Sequence, residues 1–174
     1  MTLDTTLEDR DGTWVLTLRR AFAHPAETVW PWLTAPDRLA QWSPAVPDTA
    51  FDTVGPRRVR ENPDDETISG DVLAIEPPHE LVHRWGDDVL RWRLEDGADG
   101  CVLTLEHSTA RRDMLPSFGA GWQICLDALD RGLAGNPSRA VGVDALGHGW
   151  EQLRDEYAVL LGVRPGTAAH RGAS

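Results

Sequence analysis

Lysine is missing from this 174-residue chain, and all 17 basic residues are arginine. That excludes a Schiff-base lysine and the lysine of a phosphate-binding loop. Cysteine is scarce too. Cys101 and Cys125 are too few for a disulfide scaffold, and they fit a reducing, cytoplasmic setting. Positive charge is short: 28 acidic residues outweigh the 17 basic ones and leave a net charge of −11. Phosphate backbones need a basic surface, so DNA and RNA are not expected as partners. No apolar run approaches the length of a membrane span, and no membrane insertion is expected. The polar, acidic start "MTLDTTLEDRDG" lacks the charged-then-apolar layout of a signal peptide.

One short motif invites a catalytic reading. "HELVH", residues 79–83, matches H-E-x-x-H, in which two histidines hold zinc and the glutamate acts as base. The motif works on a helix, where residues four apart share a face. Here the apolar-rich segment lies between Pro78 and Gly86, which suits a strand better than a helix. Its neighbours "DVLRWRLED" and "CVLTLEHST" alternate as half-buried strands do. On a strand Glu80 points away from His79 and His83, so the zinc-and-base geometry is lost. No metal and no cofactor is expected.

Alternation predicts a first strand over 12–22. Two short helices follow, over 24–36 and 36–42, with Pro25 and Pro36 at their starts. Strand candidates come next around 49–54 and 57–61, then over 67–76, 79–85, 88–95 and 100–109. The period then changes. Phe118, Trp122, Cys125, Leu126, Leu129 and Leu133 form one helical stripe over about 114–134. A second amphipathic segment, 144–162, repeats the pattern. This order predicts one α+β domain over 12–162, a curved antiparallel sheet covered by a long helix, with 144–162 appended. Residues 1–11 and 163–174 read as a flexible start and a loose tail. Eight tryptophans in so small a chain predict a wide, aromatic-lined interior.

Three stretches, in order, carry a family resemblance: "RRAFAHPAETVWPWLTAPDRLAQWSP", "GDVLAIEPPHELVHRW" and "LTLEHS…GWQICLDALDRGLAG". Together they resemble the SRPBCC (START/birch-allergen-like) superfamily, in the branch of the activator of heat-shock protein 90 ATPase, over roughly residues 12–135. The resemblance implies a helix-grip fold, in which the sheet wraps the long helix and leaves a cavity. Members include lipid and small-molecule carriers, polyketide cyclases and aromatases, and the co-chaperone itself. A shared fold does not transfer a reaction.

Alternation turns Leu81, His83 and Trp85 to one face, with Leu90, Trp92 and Leu94, and with Cys101, Leu103, Leu105 and His107. The cavity candidates are therefore Trp42, His83, Trp85, Trp92, Leu103, Leu105, His107, Phe118, Trp122 and Leu126. The leading expectation is a non-enzymatic or weakly enzymatic binding protein that takes a hydrophobic small molecule or lipid. A cyclase-like enzyme using His83 and His107, and a chaperone-partner module, are the alternatives. Gly119 and Gly121 near Trp122 suggest close approach by backbone or ligand, or an ill-formed first turn. At a cavity wall, Trp122→Ala is expected to cost only about 1–2 kcal/mol, because one side of the ring lacks neighbours.

Overall fold

The computed structural model describes residues 1–139 and 142–166. Among the described residues, nine strands and four α-helices follow one another in the expected α+β order. The first strand, β1 (Asp4–Arg10), precedes the predicted one, β2 (Thr13–Phe22). The two pair from Asp4↔Arg19 to Arg10↔Thr13. The start of the chain is thus an edge strand and not the flexible segment expected for 1–11. Its turn is Asp11–Gly12, both at positive φ, which is the backbone of a two-residue hairpin. Leu3 and Leu7 rest on the core and supply the apolar contact that the acidic neighbours lack.

Helices α1 (Ala26–Thr34) and α2 (Pro36–Leu39) follow, close to the predicted pair. The next stretch differs from expectation. Residues around 49–54 form no strand, because Phe51 is a buried anchor and its amide bonds Thr34 O at 3.0 Å. Instead β3 (Val46–Pro47), β4 (Arg58–Arg60) and β5 (Ile68–Ser69) make a small separate sheet. The predicted strand over 67–76 is therefore split, and its second part is β6 (Val72–Glu76).

From β6 the chain runs as a meander through β7 (Glu80–Trp85), β8 (Asp88–Gly97) and β9 (Gly100–Thr109). The main sheet has the order β1-β2-β9-β8-β7-β6, antiparallel throughout. "HELVH" therefore lies on and beside β7, as the short segment and its alternating neighbours suggested, and not on a helix. Turn geometry is tight at Gly100, where φ is +146° and an added Cβ would stand 2.0 Å from Phe22 O.

Helix α3 (Leu115–Leu133) crosses the inner face of the sheet. Its stripe meets Leu16, Leu18, Leu90, Leu103 and Leu105 in one buried cluster. On the outer side, the appended segment forms a 3-10 stretch (Gly142–His148) and then α4 (Trp150–Leu161). This segment lies along α3, with Ile124 meeting Trp150 and Leu153. Gly119 is what lets the helices approach: a Cβ there would stand 2.7 Å from the Tyr157 ring. Gly121 faces open space. The tail begins packed, with Val163 buried, and its last residues, 167–174, lie outside the described part.

Candidate site between the sheet and the long helix

Alternation on three neighbouring strands aims one set of side chains at α3. On β7 these are Leu81 and His83, on β8 Leu90, Trp92 and Leu94, and on β9 Cys101, Leu103, Leu105 and His107, all buried. The opposite face is polar, as expected: Arg91 and Arg93 lean on Glu106 at 3.9 and 3.5 Å. Register brings the two histidines into one row, His83↔Leu90↔His107. From the helix side come Phe118, Trp122 and Leu126, and from the loop after α2 comes Trp42.

These groups form a chain of rings. Phe51 stacks on His83 at 4.5 Å between centroids. Trp92 meets Trp42 edge-on at 5.7 Å and Trp122 edge-on at 5.4 Å. Trp85 touches His107, Phe118 and Trp122. Most of the chain is buried, but Trp85 and Phe118 are only half-buried. Two surface clefts lie elsewhere, of about 630 Å³ beside Arg112 and Arg164 and about 500 Å³ beside Pro25 and Asp96.

Two indole–imidazole hydrogen bonds tie the rings together. Trp92 Nε1 donates to His83 Nε2 at 3.0 Å, and Trp122 Nε1 donates to His107 Nδ1 at 3.0 Å. Each imidazole is anchored through its other nitrogen. His83 Nδ1 lies 2.9 Å from Arg84 O, and His107 Nε2 lies 2.8 Å from Asp88 Oδ2. An indole N–H can only donate, and a carbonyl or carboxylate oxygen only accepts. Both rings are therefore neutral, with N–H toward the anchor and a lone pair toward the indole.

Burial favours the same state. It pushes the pKa of His83 down to about 4, against a small opposing pull from the Arg84 carbonyl. Burial also lowers the pKa of His107, opposed by the bond to Asp88. For Asp88, burial raises the pKa, but His107 and Arg111 outweigh it and hold the carboxyl below its usual range. Asp88 accepts further bonds from Thr109 Oγ1 at 2.9 Å and Arg111 Nη2 at 2.8 Å. Arg111 also lies over the Phe118 ring, 5.1 Å from its centroid, so its guanidinium sits at the solvent edge of the cluster.

All ten candidates fall in or against one cluster. Four participants were not among them: Asp88, Thr109, Arg111 and Phe51. Asp88 and Thr109 had a signal, since each extends the inward-facing alternation of its strand with a polar residue. Arg111 and Phe51 lie in loops, where period gives no direction. Among the described residues no group of three or more His, Cys, Asp or Glu side chains is arranged to hold a metal ion.

A family model described as "Activator of Hsp90 ATPase homolog 1-like protein" matches residues 23–134. The chain belongs to this family. Its helix-grip architecture is that of the SRPBCC group to which the sequence pointed. The crystal structure of CalU16 from Micromonospora echinospora is similar, with 25% identity, a TM-score of 0.70, and coverage of 92% of this chain and 98% of that one. DynU16, from the dynemicin biosynthetic locus, is 28% identical with a TM-score of 0.64 over 72% of this chain and 49% of that one. EF2215 from Enterococcus faecalis shares the fold, at 18% identity and a TM-score of 0.70 over 90% of each chain. No curated protein matches the sequence. No helix among the described residues is long and apolar enough to cross a membrane.

Proposed function

We propose that this family member binds a hydrophobic small molecule or lipid between the main sheet and α3. The observation that carries the reading is the ring cluster: eight aromatic and imidazole groups meet there, with polar atoms aimed inward. Binding sites of this kind are mostly apolar with a few placed polar groups. Trp85 and Phe118, the half-buried rings at the edge, are where a ligand enters by displacing side chains. The similarity to DynU16, from a biosynthetic locus, supports a small molecule. Two free, buried cysteines and an acidic surface support a cytoplasmic protein without nucleic-acid partners. Native mass spectrometry of the protein recovered from a cell extract tests the proposal. A bound mass lost in a Trp85→Ala/Phe118→Ala double variant supports it, and no bound mass across varied extracts refutes it.

The Asp88–His107 pair supports a second reading, a cyclase- or aromatase-like enzyme. A carboxylate behind a neutral imidazole orients it as a general base. Replacing His83 and His107 by Phe then abolishes turnover, and unchanged turnover removes them from the mechanism. A role as activating partner of a chaperone ATPase has family membership alone as its support, and pull-down with the chaperone's middle domain tests it.

A further inference from the structure

We propose that Trp122 and His107 form a redox-active pair, which accepts a one-electron oxidising equivalent delivered through Trp85 by a diffusible radical oxidant. The proposal does not depend on ligand binding. Four indoles stand in ring contact from the surface inward. Between centroids, Trp85 is 5.3 Å from Trp122, Trp122 is 5.4 Å from Trp92, and Trp92 is 5.7 Å from Trp42. Rings this close exchange electrons without an intervening carrier. Of the four only Trp85 is partly exposed, so it is the port. The other partly exposed indoles are Trp14, Trp30 and Trp150. Guanidinium groups cover two of them: Arg112 lies over Trp14 at 5.0 Å and Arg154 over Trp150 at 5.2 Å. A cation on the ring face opposes the positive charge that electron loss creates. Among the described residues Trp85 has no such cover, and no ring contact joins Trp30 to the four.

What singles out Trp122 is where its proton can go. An indole that loses an electron becomes a strong N–H acid, and its oxidation is easiest where a base takes that proton. Trp122 Nε1 already donates to His107 Nδ1 at 3.0 Å. Burial keeps His107 neutral, with its N–H toward Asp88 and its lone pair toward the indole. The step balances. Trp122 loses one electron through Trp85 to the oxidant, and its Nε1 proton crosses to His107 Nδ1. The products are a neutral indolyl radical, an imidazolium and the reduced oxidant. The hydrogen bond survives with its direction reversed. Asp88 Oδ2, 2.8 Å from His107 Nε2, favours the new imidazolium more strongly than Arg111 opposes it. Trp92 lacks this outlet, because its acceptor His83 is backed by the neutral Arg84 carbonyl, and an imidazolium there would be buried without a counter-charge. Trp42 donates to the Trp32 carbonyl at 2.9 Å, which cannot take a proton. The oxidising equivalent therefore stops at Trp122. A thiol or other one-electron reductant at Trp85 returns the electron, and the proton goes back to the indole.

The test is pulse radiolysis of the full chain in azide solution, where the azide radical takes one electron from tryptophan and leaves as azide anion. Optical spectra distinguish the neutral indolyl radical from its cation. The expected result is a neutral radical that outlives the initial signal and forms more slowly in heavy water. Its yield should fall severalfold in Trp122→Phe and in Trp85→Phe, the second of which alters only a half-buried ring. In Asp88→Asn its lifetime should shorten severalfold, because the imidazolium loses its counter-charge. Electron paramagnetic resonance of the freeze-quenched wild type needs no variant, and it should show an exchangeable proton hydrogen-bonded to the radical nitrogen. A radical that stays cationic, lacks that proton, keeps its yield in Trp85→Phe, or settles on Trp14, Trp30 or Trp150 overturns the proposal. The ligand-binding proposal stands in either case.

Discussion

Trp122 and His107 are joined by a hydrogen bond of 3.0 Å between a helix and a strand, with the indole 2% exposed and the imidazole fully buried. That bond corrects the expected energetics of Trp122. The ring has neighbours on several sides, Trp85, Trp92 and His107 among them. Trp122→Ala should therefore cost about 3–5 kcal/mol, the range for a packed aromatic, and not the smaller loss expected of a cavity wall. It also leaves a buried acceptor unmet. Urea denaturation measures it, and a loss under about 2 kcal/mol would return Trp122 to the wall of a void.

Acid should unfold the protein earlier than carboxylate titration alone predicts. His83 is neutral when folded and takes a proton readily when unfolded, so the unfolded state binds more protons between the two pKa values. Stability is then full above about pH 6.5 and falls as pH drops toward about 4. His107 acts in the same direction. Asp88 adds a loss only at lower pH, since its folded pKa lies below the ordinary value. The His83 contribution is on the order of 3 kcal/mol across that window. Denaturation midpoints from pH 7.5 to 4.5 should decline in the wild type and flatten in His83→Phe. Parallel curves would show that His83 does not titrate differently on folding.

Arg111→Gln should weaken the fold by about 1–2 kcal/mol, a charged hydrogen bond discounted for the half-exposed guanidinium. It should also raise the pKa of both Asp88 and His107, because Arg111 stabilises the carboxylate and disfavours the imidazolium. NMR titration of His107 reads the second effect. An unchanged His107 pKa would mean that Arg111 acts only as a cover for Phe118.

Two glycines about half a helical turn apart, Gly119 and Gly121, should respond with opposite signs. At Gly121 a Cβ meets nothing within 4 Å, so Gly121→Ala should stabilise by about 0.5–1 kcal/mol through helix propensity. At Gly119 the Cβ would strike the Tyr157 ring at 2.7 Å, so Gly119→Ala should cost about 1–3 kcal/mol by overpacking. Thermal melts of the two variants decide this, and a Gly119→Ala protein as stable as wild type would show α4 free to shift.

Period carried most of what the sequence revealed. Strict alternation on β7, β8 and β9 placed His83, Trp92 and His107 on the inner face, and the helical stripe placed Trp122 opposite them. Where elements are too short to show a period, the reading failed. The two- and three-residue strands β3, β4 and β5 are set by side-chain bonds such as Arg58 to Thr67, and by Phe51 seating itself in the core. β1 was hidden by its acidic residues, although Asp11–Gly12 is the dipeptide that a two-residue hairpin calls for. The indole–imidazole bonds were beyond reach, because each joins residues whose distance depends on the approach of separate elements.

The strand order also imposes a sequence of events on a nascent chain. β6, β7, β8 and β9 are consecutive neighbours and can pair as they emerge. β2 cannot join them until β9 exists, because its partners run from Trp14↔Thr109 to Phe22↔Cys101. The β1–β2 hairpin, made before the other strands, is thus among the last pieces to find its place, waiting with Leu16 and Leu18 uncovered while some ninety residues are added. Only then does the emerging α3 have a complete surface to close upon.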